Sequence, residues 1–335
     1  MNHNTPISPR PLPRASRTPG TQRLATVAQL RAQGLTGAEV AARCAPGGDW
    51  RQLLPGVFLL RPGRPTSEDR LVAALLYARR DGAVPVQGPQ PMITGLAALA
   101  LHGFTAAPPL TALDRIDVLV PRTRRLRSTG WVRVVRAPET PEPVEVTGLP
   151  VAPVARAVAD AVAALTDPEA VRRVLTEAVR GGHCEPGPVV RELNRARLLT
   201  RPHVVDAVDT LLAEGRSLSE ERLYEMVRAF GLPDPLWNVD LRLPGGPHLG
   251  GVDAYWPDQA VAVELDTRAP REDDDARWSE CTRKREHLER LGITVVHLTP
   301  RKLRESAEQQ ATVVRTALVA ASDRQPAAYV VVLPR

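Results

Sequence analysis

Residues 251–266 read GVDAYWPDQAVAVELD, and their reading decides the fold of the C-terminal half. Two apolar-rich runs, 252–256 and 260–265, are divided by Pro257-Asp258-Gln259, which is turn chemistry between hydrophobic segments. The pattern predicts a tight hairpin. A turn centred between Asp258 and Gln259 sets Asp253 opposite Glu264, to within about one residue, and such pairs project from one face with Cβ atoms about 5 Å apart. Asp266 returns to that face if the strand continues, because side chains alternate with period two. Like charges across a ladder repel. Three carboxylates beside an apolar sheet therefore call for a divalent cation.

Upstream, Val239, Leu241 and Leu243 alternate with Asp240 and Arg242, a strand closed by Pro244-Gly245-Gly246-Pro247. Before it, Ser217 and Glu220 match a capping box for a helix over 218–230, with Leu223, Val227 and Phe230 as its buried stripe. Glu220 falls on the side of Leu223 and Val227, so it either only caps the helix or faces the hairpin. Downstream lie an acidic loop, 272–275, and a helix over 276–291. Trp278, Cys281, Arg285, Leu288 and Leu291 share one side of that helix, and Lys284 sits on the flank of their stripe. Gly292 ends it, residues 293–298 read as a strand, 301–321 as a last amphipathic helix, and 329–333 as a further strand or a tail. The chain has only two lysines, Lys284 and Lys302, so chemistry that requires an ammonium has two candidates.

The first half is less explicit. Leu24, Val27 and Leu30 are spaced for a helix face, Thr36 and Glu39 form a capping box for a helix over 37–43, and an apolar strand follows at 56–60. Helix, turn, helix, strand is winged-helix order, shared with packing units that touch no DNA. Residues 69–80 and 95–102 read as helices, the second capped by Thr94. Between the strands 116–120 and 131–135 lies a loop with Arg122, Arg124, Arg125 and Arg127, joined by Arg133 and Arg136. Guanidinium groups suit bidentate phosphate contact, although an arginine-rich chain also places them on plain solvated loops. Residues 160–213 are mostly helical, broken by a loop over 181–188. His183 and Cys184 sit in that loop without a second pair at ligand spacing.

The 335 residues allow two or three domains, and 43% hydrophobic content suits globular packing. Net charge of +6 and a pI near 9.8 fit a nucleic-acid partner. Three scattered cysteines argue against a disulfide framework. No apolar run approaches the roughly 20 residues that span a bilayer. The first 22 residues read as a Pro- and Arg-rich disordered arm without a secretory h-region. A cytoplasmic protein with no membrane partner is expected.

Two resemblances follow from these motifs. LPGVFLL (54–60), ITGLAALALHGF (93–104), RIDVLVP (115–121) and VTGLPVAPVARAVADAVA (146–163) resemble AbiEi-type antitoxins and larger proteins that share their winged-helix start. That resemblance implies DNA binding or autorepression, with a toxin or other protein as partner. SLSEERL (217–223), VDAYWPDQAVAVELD (252–266) and RKREHLERLGITVVHLT (283–299) resemble the restriction-endonuclease-like domain related to very-short-patch-repair (Vsr) endonucleases, with its PD-(D/E)xK site. This second resemblance implies Asp253 and Glu264 as carboxylates for Mg²⁺ (or Mn²⁺), Glu220 as the acid carried by the helix, and Asp266 where the pattern usually has lysine. By position, Lys284 is the replacement for that lysine. In this chain Asp266 is followed by Thr267-Arg268-Ala269-Pro270, where relatives usually have Gly and then His.

The expected fold is thus α/β and multidomain. It comprises an arm (1–22), a winged-helix-like unit (23–65), an α/β antitoxin-like region (66–165), a helical connector (166–214), a restriction-endonuclease-like αβββαβα domain (215–325) and a tail (326–335). The expected function is DNA binding with metal-dependent phosphodiester hydrolysis. The alternative is a non-catalytic, antitoxin-like regulator that retains the nuclease fold.

Overall fold

Thr26 and Thr36 open the first two helices by one device. Each hydroxyl accepts the backbone N–H three residues on, while the Gln29 or Glu39 side chain returns to the cap's own N–H. The chain is seen here in a computed structural model that describes residues 23–79, 90–267, 275–322 and 329–335. The N-terminal arm and most of the acidic loop lie outside the described residues. Over those described, the protein is mixed α/β, with eleven α-helices and three sheets, and it divides between Asp160 and Ala161 into two units. No described helix is long and apolar enough to cross a membrane.

The first unit begins with β1 (Leu24–Thr26), α1 (Val27–Ala32), α2 (Gly37–Cys44), β2 (Arg51–Leu54) and β3 (Val57–Leu59). These strands form an antiparallel sheet in the order β1-β3-β2. Helix spacing at Leu24 is therefore misleading. Leu24 and Ala25 are buried in a strand paired with β3, and the helix starts only after the Thr26 cap. Ala25, Leu30, Val40 and Phe58 form the small core.

There follow α3 (Ser67–Arg79), β4 (Met92–Thr94), α4 (Gly95–Leu101), β5 (Ile116–Pro121), β6 (Val132–Ala137), β7 (Val144–Val146) and β8 (Leu149–Val151), and the division between the units falls within the next helix, α5 (Val154–Ala164). Their sheet runs β6-β5-β4-β8-β7, with β5 parallel to β6 and β4 parallel to β8. Thr94 stands at the cap of α4 but makes no cap bond there. Its hydroxyl instead donates to the buried Asp160 at 2.6 Å, and Arg156 holds both oxygens of that carboxylate.

The second unit contains α6 (Pro168–Arg180), α7 (Pro186–Arg195), α8 (Pro202–Ala229), β9 (Leu236–Arg242), β10 (His248–Trp256), β11 (Val261–Leu265), α9 (Asp275–Arg290), β12 (Thr294–Leu298), α10 (Pro300–Glu305), α11 (Ala307–Ser322) and β13 (Val331–Pro334). Its sheet runs β12-β11-β10-β9-β13 and is antiparallel except for the β11–β12 pair. The right sort of residue lines each face. Leu223, Met226 and Val227 of α8 pack with Trp256, Val261, Val263 and the apolar positions of α11. Leu288 of α9 packs with Leu241, Val252, Tyr255, Ala262 and Ile293.

One expectation fails in α8. A helix capped by Ser217 does not exist, because α8 runs unbroken for 28 residues through that position. Gly215 resembles a stop signal but serves close packing: a Cβ there would strike the ring of Pro186. Ser219 donates to the Gly215 carbonyl at 2.7 Å, the back-bond open to a mid-helix serine. Gly215→Ala gains helix propensity worth about 1 kcal/mol, but it drives a methyl into a ring that cannot rotate away. A net destabilisation of up to about 2 kcal/mol is expected by urea denaturation, since overpacking costs about 1–3 kcal/mol.

Candidate functional site

The hairpin forms as its sequence predicts, and the register Ala254↔Val263, Tyr255↔Ala262, Trp256↔Val261 puts Asp253 against Glu264 at the next step. The paired ladder stops there. Beyond it β10 continues along β9 and β11 along β12, so the two strands part at the two acids. Asp253 fills the gap, and its Oδ2 accepts the Leu265 N–H at 2.7 Å, a backbone donor left without a β10 partner.

The other oxygen of Asp253 faces α8. Arg216 donates through Nη2 to Asp253 Oδ1 at 3.0 Å and through Nε to Glu220 Oε1 at 2.9 Å. Glu220 is therefore no cap. It lies one turn beyond Arg216 and anchors that guanidinium beside Asp253. From α9, Lys284 pairs with Glu264 Oε1 and donates to the Gly251 carbonyl at 2.6 Å. The lysine lies across Gly250, where φ is +119° and a Cβ would come within 2.5 Å of Lys284 Cε. Only glycine accommodates both that backbone and that neighbour. His297 of β12, in register with Glu264, has Nδ1 3.7 Å from Glu264 Oε2.

Burial is the largest influence on Asp253, which is only 9% exposed, and it pushes the carboxyl above its ordinary value. The Leu265 N–H and Arg216 pull the other way, while Glu220 and Glu264 add to the rise. Burial also raises the Tyr224 hydroxyl, with Glu220 and Asp253 adding to it. The acids thus share one electrostatic environment. Asp266 does not join them: it is exposed beyond the end of β11, and its N–H extends the ladder to the Leu298 carbonyl at 2.8 Å. It is not among the charges acting on Asp253. Sequence reading missed Arg216 and His297. Arg216 was legible as an i,i+4 partner of Glu220, but a helix start assigned at Ser217 placed it outside the helix.

Do these residues suit a cation? Among the described residues, no three or more His, Cys, Asp or Glu side chains converge as a metal set. Mg²⁺ does not require three, since it usually keeps several waters and takes one or two carboxylates. Asp253 and Glu264 are oxygen donors on neighbouring strands, so in chemistry they fit Mg²⁺ or Mn²⁺.

The arginine loop of the first unit is partly committed to its own fold. Arg133 is a bidentate partner of Asp117, with Nε 2.7 Å from Oδ1. Arg136 donates to the Leu126 carbonyl and, at 3.5 Å, to that of Arg124. Arg122, Arg125 and Arg127 are exposed; Arg124 is half-buried. The expected loop over 181–188 is shorter in the structure, because α7 already begins at Pro186. Within the remaining turn, burial pushes the Cys184 thiol up to about 11, which keeps it neutral at pH 7.

Compared with known proteins, the chain matches no family model and no curated protein.

Proposed function

We propose that the second unit is a metal-dependent nuclease of the restriction-endonuclease-like, PD-(D/E)xK type, and that the chain binds DNA. One observation carries this reading: β10 and β11 part where Asp253 and Glu264 face each other, and Lys284 reaches Glu264 from the following helix. The element order from α8 to β12, with β11 parallel to β12, suits the αβββαβ core of such domains. In the first unit, two capped helices followed by a β2–β3 hairpin suit a winged helix. The exposed Arg122, Arg125 and Arg127 suit a phosphate backbone. A toxin partner belongs to the same proposal, through the antitoxin-like motifs.

Asp253 and Glu264 would hold the ion, and Glu220 would hold Arg216 at the rim. Bound Mg²⁺ would polarise the phosphate and lower the pKa of a coordinated water. Lys284, steadied by the Gly251 carbonyl, would stabilise charge developing on the phosphoryl oxygens.

A second reading has its own support. Both oxygens of Asp253 already have donors and Glu264 has Lys284, so the cluster is largely compensated without an ion. A DNA-binding regulator built on a nuclease fold would look the same. Incubation of the purified chain with plasmid DNA in Mg²⁺ or Mn²⁺, against EDTA, separates the two. Cleavage abolished by EDTA supports the nuclease, whereas salt-dependent binding without cleavage supports the regulator. Replacement of Arg122, Arg125 and Arg127 together by Gln should lower the slope of log K against log salt by about 2–3, as each phosphate contact contributes about 0.9. An unchanged slope removes this loop from the interface.

A further inference from the structure

We propose that Arg216 is a displaceable internal counter-ion that competes with the metal for Asp253, so that the protein holds its own site closed to cations. The inference rests on the nuclease reading and extends it to control of metal loading.

Geometry leaves few alternatives. Asp253 Oδ2 is committed to the Leu265 N–H, a backbone group that cannot retreat without opening the sheet. Of the two oxygens, Oδ1 is held by a side chain rather than by the backbone, that of Arg216, so it is the one more easily released to a new ligand. The two partners differ in mobility. The Asp253 side chain is 11% exposed and fixed between strands, while the Arg216 side chain is 44% exposed on a helix surface. Arginine also keeps a second anchor, because its Nε bond to Glu220 does not involve Asp253. The guanidinium can therefore release Asp253 by rotating about its tether to Glu220, at the cost of one charge-assisted hydrogen bond.

Charge makes the competition strong. Three carboxylates, Glu220, Asp253 and Glu264, are faced by two cationic side chains, Arg216 and Lys284. A divalent ion added beside both would meet repulsion from the guanidinium at hydrogen-bond distance from its own ligand. Removing Arg216 takes away that repulsion and frees Oδ1, a gain comparable to a hydrogen bond to a charged group, about tenfold or more in affinity.

Calorimetric titration of the full chain with Mn²⁺ alone tests this, on wild type, Arg216→Gln, Asp253→Asn and the double variant. Arg216→Gln should bind Mn²⁺ at least about tenfold more tightly than wild type, and Asp253→Asn should weaken binding in both backgrounds. If Asp253→Asn weakens binding but Arg216→Gln leaves it equal or weaker, Arg216 is no competitor and the nuclease reading survives. If no variant binds Mn²⁺, or binding ignores Asp253, both proposals fall together. Arg216→Lys keeps the charge without the fork that spans two acids, and circular dichroism checks each fold. The lysine variant should fall between wild type and Gln, and binding tighter than Gln would overturn the charge argument.

Discussion

Under the proposed nuclease function, Asp253→Asn should reduce Mg²⁺-dependent cleavage by about 1,000-fold or more and yet leave the fold at least as stable as wild type at pH 7. The activity loss follows because a neutral amide is a poor ligand for a hard cation. The stability result follows from linkage. The Asp253 carboxyl is raised above its ordinary value in the fold, chiefly by burial, so the folded chain binds its proton more tightly than the unfolded one. Stability then falls as pH rises from the ordinary carboxylate value through the raised one, and the loss persists at neutral pH. Asparagine has no proton to lose, and its amide oxygen still accepts the Leu265 N–H. Arg216 loses an acceptor but keeps Glu220 and water. Urea denaturation at pH 3 and pH 7 should show the variant gaining on wild type with pH. A variant markedly less stable at pH 7 would make Asp253 a structural residue rather than a charge retained for chemistry.

Lys284→Met should be the second large effect, and here stability and chemistry fall together. Lys284 is 25% exposed and Glu264 17%, so the pair is shielded enough that removing one partner strands the other. Partial exposure lowers the 3–5 kcal/mol typical of a fully buried pair, and a loss of about 1–3 kcal/mol is expected. The proposed cleavage, measured well below the unfolding midpoint, should drop by about 100- to 1,000-fold. Lys302→Met is the control. Lys302 is exposed on α10, where the Thr299 cap uses its backbone and not its ammonium, so stability should move by less than about 0.5 kcal/mol and cleavage little. Equal effects of the two substitutions would sink the role given to Lys284.

The hairpin and its register were legible because a Pro-Asp turn between apolar runs fixes both. Lys284 was legible too, since its place on the flank of the α9 stripe limits where a long side chain can go. The unbroken α8 was not legible. Gly215, Ser217 and Glu220 spell a helix boundary locally, and only the contact between Gly215 and Pro186, 29 positions away in sequence, overrides it. Leu24 was misread for a related reason: three residues of strand cannot outweigh an apparent helical period until β3 is present to pair with them. Asp266 failed at the edge of a strand, where alternation no longer governs direction. The break between α10 and α11 at Ser306 was likewise hidden, because the apolar spacing carries across it.

The continuity of α8 also bears on how this protein can be taken apart. Arg216 stands one residue after the glycine wedged against Pro186, so α7 indirectly sets where the guanidinium hangs over the sheet. A transplant that begins at Ser217 would sever a rod of about 42 Å near its middle and discard one half of the Arg216–Glu220 clasp. The smallest portable module therefore reaches back at least to Pro186. For the same reason, drift among residues far from any acid could shift the Arg216 guanidinium against Asp253 without touching a single acid.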